Sequence, residues 1–195
     1  MVGDPRGDQA AFDGPHSRRA LLTGGAAAAT AALLSACSGA GPLREKVRGG
    51  GTVAQADIAP LNALLDVEHY TIAAYAAGIP LLHSPQSDAA IRFLAHELAH
   101  AVSLQGLIRR VKGKPVRPRA SYDLGRPRTA SEVMVLLKRV EQTQIRGYLA
   151  TLPHLKGPGS RLAAVSIMAN EAQHMAMLRW QTGETPTPAA LVTGS

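Results

Sequence analysis

The chain of 195 residues contains one cysteine, Cys37, and that scarcity removes two classes at once. A disulfide framework needs cysteines in pairs, and a structural zinc site of the usual kind needs two or more thiolates. Aromatic residues are scarce too, at 4% with two Phe and one Trp, so the core has to be built from Ala, Leu, Ile, Val and Met. No apolar run is long and hydrophobic enough to read as a membrane span. Acidic residues are outnumbered, 14 against 21 Lys and Arg. What is abundant is apolar: 46% of the chain, with 18% charged, which permits a sizeable buried core and argues against wholesale disorder. The length suits one domain.

The beginning of the chain reads as an address. Ser17-Arg18-Arg19-Ala20-Leu21-Leu22 leads into a weakly apolar Ala/Gly stretch that ends Leu34-Ser35-Ala36-Cys37. A charged patch, an apolar run and small residues before a cut form the layout of an export signal. The paired arginines resemble a twin-arginine signal, and the ending resembles a lipobox, whose cysteine carries lipid and becomes the new N-terminus. The alternative is an unstructured arm with a chance Arg-Arg pair. Residues 1–36 are therefore expected to be a signal peptide that engages the twin-arginine export machinery. Cys37 is expected to be lipidated, and the product to sit at the outer face of the cell membrane or in the periplasm. Residues 37–56 read as a flexible tether, 57–182 as the folded domain and 183–195 as a C-terminal tail.

From Asp57 onward the apolar period is helical. A first helix is expected over Asp57–Leu82, with Leu61, Leu65, Glu68, Ile72, Tyr75 and Ile79 inward. A second runs from a cap at Ser87 or Asp88 to about Lys112, with Ile91, Leu94, Glu97, Leu98, Ala101, Leu104 and Ile108 inward. A third opens on Thr129 and Glu132 at capping-box spacing and runs to about Leu152, with Met134, Leu137, Glu141, Gln144 and Tyr148 inward. A fourth covers Ser160 to about Trp180, with Ala164, Met168, Glu171, Met175 and Leu178 inward. The links His83–Gln86 and Pro153–Gly159 are short, so the helices pair as antiparallel neighbours. Gly113–Arg128 reaches ~50 Å when extended, longer than the ~33 Å of a helix of about 22 residues. It can return the chain along the bundle. Two antiparallel pairs joined by one long crossover make an all-α, ferritin-like four-helix bundle.

Four glutamates, Glu68, Glu97, Glu141 and Glu171, interrupt the apolar stripes, one mid-way along each helix. Equal helices bring mid-points to one depth, so this sequence buries four carboxylates in one layer. Unpaired, that is severely destabilising. Glu97-Leu98-Ala99-His100 and Glu171-Ala172-Gln173-His174 each add a histidine three residues on, hence on the same helix face. A glutamate from two helices and Glu-x-x-His from the other two is the ligand set of di-iron and di-manganese carboxylate bundles. Two divalent cations neutralise four carboxylates, and carboxylate with imidazole suits iron or manganese. A bundle that has lost its metal is the competing reading.

With these residues in place, the chain resembles the ferritin-like domain proteins, in an exported twin-arginine lipoprotein branch. The likeness covers about Asp57–Thr182, in segments such as Leu61-Asn62-Ala63-Leu64-Leu65-Asp66-Val67-Glu68-His69, Ala169-Asn170-Glu171-Ala172-Gln173-His174 and Gly113-Lys114-Pro115-Val116. The resemblance implies that Glu97 and Glu171 bridge two Fe or Mn ions, with Fe favoured. It makes Glu68 and Glu141 terminal ligands, and gives His100 and His174 one metal each. The lipid tether and the lack of a fifth helix argue against a hollow storage shell. The implied activity is an oxidoreductase of peroxidase, catalase or ferroxidase type acting on O2 or peroxide. A non-catalytic surface lipoprotein that binds or sequesters iron or manganese, and a bundle using the metals for stability alone, stay open beside it.

Gln144 and Ser103, each one turn beyond a ligand, are candidates to hydrogen-bond the site, while His69 and His96, beside Glu68 and Glu97 but one step round the helix, are expected behind the ligands or at the surface. Tyr75 and Tyr148, each about 10 Å along its own helix from a glutamate, read as core filling. Arg109, Arg110, Lys112, Lys114, Arg117, Arg119, Arg126 and Arg128 face a single acid, Asp123, in and around the crossover. Such a run is a solvated loop or an attraction to anionic lipid. Without interleaved aromatics it is no nucleic-acid surface.

Overall fold

Thr129 starts a helix as its spacing to Glu132 predicts. The Glu132 N–H donates to Thr129 Oγ1 at 3.2 Å and the Thr129 N–H donates back to Glu132 Oε2 at 3.1 Å. In the computed structural model, which describes residues 51–191, 193 and 194, this is one of four α-helices, and there is no strand among the described residues. They are α1 (Ile58–Gly78), α2 (Gln86–Arg110), α3 (Ala130–Thr151) and α4 (Pro158–Gln181). Short 3-10 turns with a proline at their second residue, Ile79–Leu81 and Leu152–His154, end α1 and α3. Proline lacks the N–H that would continue an α-helix. Residues 1–36 and Cys37 lie outside the described residues.

The helices form an all-α four-helix bundle with one long crossover. Contacts between Tyr148 and Glu68, and between Tyr75 and Glu141, fix α3 antiparallel to α1. The approaches of His100 to Glu171 and of His174 to Glu97 fix α4 antiparallel to α2. The crossover travels along α1 and is pinned to it turn by turn. Asn62 accepts from the Val116 N–H at 2.7 Å and donates to the Lys114 carbonyl at 3.1 Å. Farther on, Arg119 pairs with Asp66 and the Tyr122 ring rests on Tyr70 at 5.8 Å.

Two corrections concern the core and the tether. Ile91 and Leu98, expected inward on α2, are 55% and 49% exposed. The α2 stripe instead follows Ala90, Phe93, Glu97, Ala101, Leu104 and Ile108, and a helix corner in a bundle has room for only one stripe. The tether expected to run to residue 56 is docked well before that. The Thr52 carbonyl accepts from the Gly159 N–H at 3.1 Å, and buried Asp57 accepts from the N–H groups of Lys156 and Gly157 at 2.7 and 2.9 Å. Those bonds, with Ser160, hold the Asp57 carboxyl below its usual range against the opposing effect of burial.

The bundle core is divided in two. One apolar cluster gathers Leu61, Leu64, Leu65, Leu104, Ile108 and Tyr148 with their neighbours. The other gathers Ala74, Tyr75, Phe93, Val133, Leu137 and Leu178. Between them lies the glutamate layer. The two halves are related in sequence as well: Glu68, Tyr75 and Pro80 recur 73 positions later as Glu141, Tyr148 and Pro153.

Candidate metal centre

Glu68, Glu97, Glu141 and Glu171, one from each helix, are fully buried at one level. His100 and His174 stand one turn from Glu97 and Glu171 and turn in beside them. The Nδ1 atom of His100 lies 2.9, 3.7 and 3.8 Å from oxygens of Glu171, Glu97 and Glu68. His174 Nδ1 mirrors this at 3.1, 3.2 and 3.5 Å from Glu97, Glu171 and Glu141. Two overlapping quartets result: Glu68, Glu97, His100, Glu171, and Glu97, Glu141, Glu171, His174. Within each, one donor atom per residue lies within 4.8 Å of every other. Glu97 and Glu171 belong to both.

The donor set fits a pair of cations. Close as these approaches are, His100 Nδ1, His174 Nδ1, Glu97 Oε1, Glu141 Oε2 and both Glu171 oxygens are buried and none makes a well-aligned hydrogen bond. Buried polar atoms so imperfectly paired are costly, and all of them belong to residues of the two quartets. A six-coordinate ion with bonds of about 2.1 Å sets neighbouring donors about 3 Å apart, the range of these approaches. All-oxygen and imidazole ligation, without thiolate, is hard-to-borderline chemistry suited to iron or manganese.

In the metal-free chain, protons balance the layer. Burial works against the charged imidazoles, but the carboxylates beside them prevail and push His100 up to about 9 and His174 up to about 11. Burial and the neighbouring carboxylates together raise Glu68 and Glu141 well above the usual carboxylate range. Burial tends to raise Glu97 too, yet the two histidines override it and hold Glu97 far below that range. A cation entering either quartet must displace such protons.

The surrounding side chains fix the ligands, and here the reach across helices matters. Tyr75 on α1 donates its hydroxyl to Glu141 on α3, and Tyr148 on α3 donates to Glu68 on α1. Measured along its own helix, each tyrosine is a long way from a glutamate; the antiparallel register brings each one onto the glutamate of the opposite helix. Burial, then the adjacent carboxylate, raises both phenols well above their usual value. Gln144 donates through Nε2 to Glu68 at 3.0 Å and to Glu97 at 2.9 Å. His96, expected behind a ligand or at the surface from its place beside Glu97, has its Nδ1 2.9 Å from Nε2 of His174, whose ring also stacks on Phe93 at 4.1 Å. Burial and the neighbouring His174 lower the pKa of His96.

Two other candidates stand elsewhere. His69 is buried, but its Nε2 meets the Val116 carbonyl at 3.3 Å and so helps to hold the crossover. Ser103 is exposed on the outside of α2, because its step of three from His100 carries it past the bundle-facing stripe.

A helical bundle with a mid-layer of four glutamates and two histidines has a recognised counterpart: the ferritin-like domain model matches residues 56–184. The chain belongs to the ferritin-like domain family. Among solved structures it is similar to a conserved hypothetical protein from Mycobacterium tuberculosis. That match has 21% identity and a TM-score of 0.63, covering 70% of this chain and 96% of that one. It is also similar to a ferritin-like, diiron-carboxylate protein from Bacillus anthracis. There the identity is 18% and the TM-score 0.53, over 64% of this chain and 93% of that one. No curated protein matches the sequence. These likenesses establish the fold, and the fold accounts for the site: a bundle of four helices of matched length brings their mid-points to a single depth.

Proposed function

We propose that this chain is an exported, lipid-anchored oxidoreductase with a dinuclear iron or manganese centre, iron being favoured, that reacts with O2 or peroxide. The observation that carries the reading is the pair of ligand quartets sharing Glu97 and Glu171. A diiron-carboxylate protein of the same fold supports it. When bound, the two ions supply one-electron redox capacity each and polarise a small oxidant.

The chain's own residues set the conditions. Complete burial of the four glutamates keeps bulk water and large organic molecules away, so the substrate in this reading is small. His100, with 12% of its side chain exposed, is the most accessible of the six ligands and marks the side from which a small molecule approaches. Tyr75 and Tyr148 hold the terminal carboxylates Glu141 and Glu68 in place, Gln144 holds Glu68 and Glu97, and His96 orients His174. Preorganised ligands spare the site the cost of rearranging at each turnover.

The test is metal content and optical spectrum of protein purified with its native metal, before and after addition of peroxide. Two ions per chain and a spectrum that changes with peroxide and then recovers with reductant are expected. Two tightly held ions with no response to peroxide or O2 turn the reading to metal sequestration. Absence of stoichiometric metal refutes both. The anchoring is tested separately: Cys37→Ser should leave the protein unprocessed or release it from the membrane fraction, and a variant that fractionates and migrates like the parent refutes the lipoprotein reading.

A further inference from the structure

We infer that the end of the bundle formed by the close of α2 and the α3–α4 turn is a docking face for an anionic lipid bilayer. The fold brings the basic residues there from separate segments. A Cβ placed on Gly113 would lie 2.9 Å from Ile58 at the start of α1, and the Lys114 carbonyl is bonded to Asn62 in the next turn. Across the same end, the Lys156 and Gly157 N–H groups bond Asp57. Arg109, Lys112, Lys114, Lys156 and Arg161 thus crown one end of the molecule, all exposed, with exposed His154 among them.

Among the described residues, exposed counter-charge is missing from this face. The segments that build it, residues 51–64, 105–116 and 149–165, contain one acid, Asp57. That carboxylate is buried and occupied by the N–H groups of Ala54, Lys156 and Gly157. At the opposite end, Asp88, Asp123, Glu132 and Glu184 are interspersed with the bases, Lys138 being paired with Glu184. The positive field is therefore polarised along the bundle and is no uniform surplus.

Two observations commit the face to a bilayer. The three segments contain no Phe, Tyr or Trp, so there is no platform on which nucleic-acid bases stack. They do expose apolar side chains near the basic rim, Leu162 and Val165 at 48% and 47%, a mixture suited to a headgroup boundary. The chain also enters the bundle here: a Cβ on Gly51 would lie 2.8 Å from the Gly159 nitrogen. Residues 38–50 between that point and Cys37 span at most ~45 Å, so any lipid on Cys37 would be attached to the bundle through this end. The charge argument holds without that lipid.

The experiment uses the full chain with Cys37→Ser, which removes acylation from the outcome, and vesicles of phosphatidylcholine with and without phosphatidylglycerol. One variant carries Arg109→Gln, Lys112→Gln, Lys114→Gln and Lys156→Gln. The control carries Arg92→Gln, Arg126→Gln, Arg128→Gln and Arg139→Gln, an equal loss of charge toward the far end, and unchanged thermal melts show that both remain folded. The first set should lower partitioning onto phosphatidylglycerol vesicles on the order of a hundredfold, and the control only a few-fold. A fluorophore on His154→Cys should be quenched by lipid-borne quencher, and one on His83→Cys, in the α1–α2 link, should not. Equal losses from both sets, no binding by the parent protein, quenching at position 83, or tighter binding to duplex DNA than to vesicles at the same salt would each overturn the inference. None of these readouts depends on the metals.

Discussion

Glu141 is the residue at which metal binding and plain packing predict opposite outcomes. Glu141 is held above the usual carboxylate range, so replacing it by Leu removes one of four buried acids from the layer and spares the fold about 1–3 kcal/mol of polar burial when nothing else is disturbed. Here the Tyr75 hydroxyl loses its acceptor, which costs about 1–3 kcal/mol. In chelated protein, Glu141→Leu should therefore sit near wild type, and adding Tyr75→Phe should stabilise it, as read by urea unfolding. In metal-loaded protein the same Glu141→Leu should lose or weaken one ion and reduce turnover steeply, and Glu68→Leu should match it. Glu97→Leu and Glu171→Leu should be worse, since each serves both quartets. Two ions per chain retained in Glu141→Leu at unchanged turnover would remove the basis of the assignment.

The same residues give the metal-free chain a pH dependence of definite sign. His100 and His174 have folded values raised to about 9 and about 11, so their stabilisation is complete below about 6.5 and is lost as pH rises through those values. Glu68 and Glu141, raised above the ordinary carboxylate range, act in the same direction. Chelated protein should melt at a lower temperature at pH 9 than at pH 7. Cation binding near pH 7 should release protons into an unbuffered solution, and fewer of them at higher pH. A chelated sample whose melting temperature is flat or rises over that range would contradict the charge assignment.

Among the elements, the turns carry more of the stability than their length suggests. A Cβ on Gly157 would meet the Thr52 carbonyl at 2.5 Å and Asp57 Oδ2 at 2.7 Å, and neither neighbour can yield without breaking the bonds that dock residues 52–57. Gly157→Ala should cost about 1–3 kcal/mol and speed proteolysis of the residues just before α1. Gly106 on α2 has nothing within 4 Å of a Cβ, so Gly106→Ala should stabilise by about 0.5–1 kcal/mol. Denaturant melts of the two variants should move in opposite directions.

The helices themselves were legible because their signals are local, the Thr129–Glu132 box and the recurrence of apolar residues, but the first was read through Pro80 to Leu82 where α1 ends at Gly78 and gives way to a 3-10 turn. The glutamate layer was legible because equal helices force mid-points together. Which neighbours serve that layer depends on register between helices, and that is not local. The tyrosines were read along their own chain and so looked remote, though their common offset of seven from Glu68 and Glu141 was a usable signal once the antiparallel pairing was assumed. Ile91 and Leu98 were misplaced because one stripe of apolar residues was read too wide. His96 was legible only through its adjacency to Glu97, which left open whether it backs a ligand or faces solvent; its partner, His174, is set by the neighbouring helix.

For the whole molecule, a metal pair in the mid-layer is also a structural tie between all four helices, so holo protein should outlast chelated protein in thermal melts; equal melting temperatures would argue that the layer holds no ion. The repeat that relates the two halves is imperfect at this layer. Gln144 clamps Glu68 and Glu97, while the residue 73 positions before it, Thr71, leaves its hydroxyl buried without a partner. His174 has His96 behind it, but the residue in the matching place behind His100 is Asn170. The two quartets are thus chemically unlike in their surroundings in spite of matched residues. Loading should proceed in two resolved steps, with a singly occupied species present between them, and the pair should accept two different metals in a preferred order. Two hairpins matched in their glutamates and histidines would in that way give the centre a polarity, a strong seat and a weak one, set by four side chains outside the two quartets.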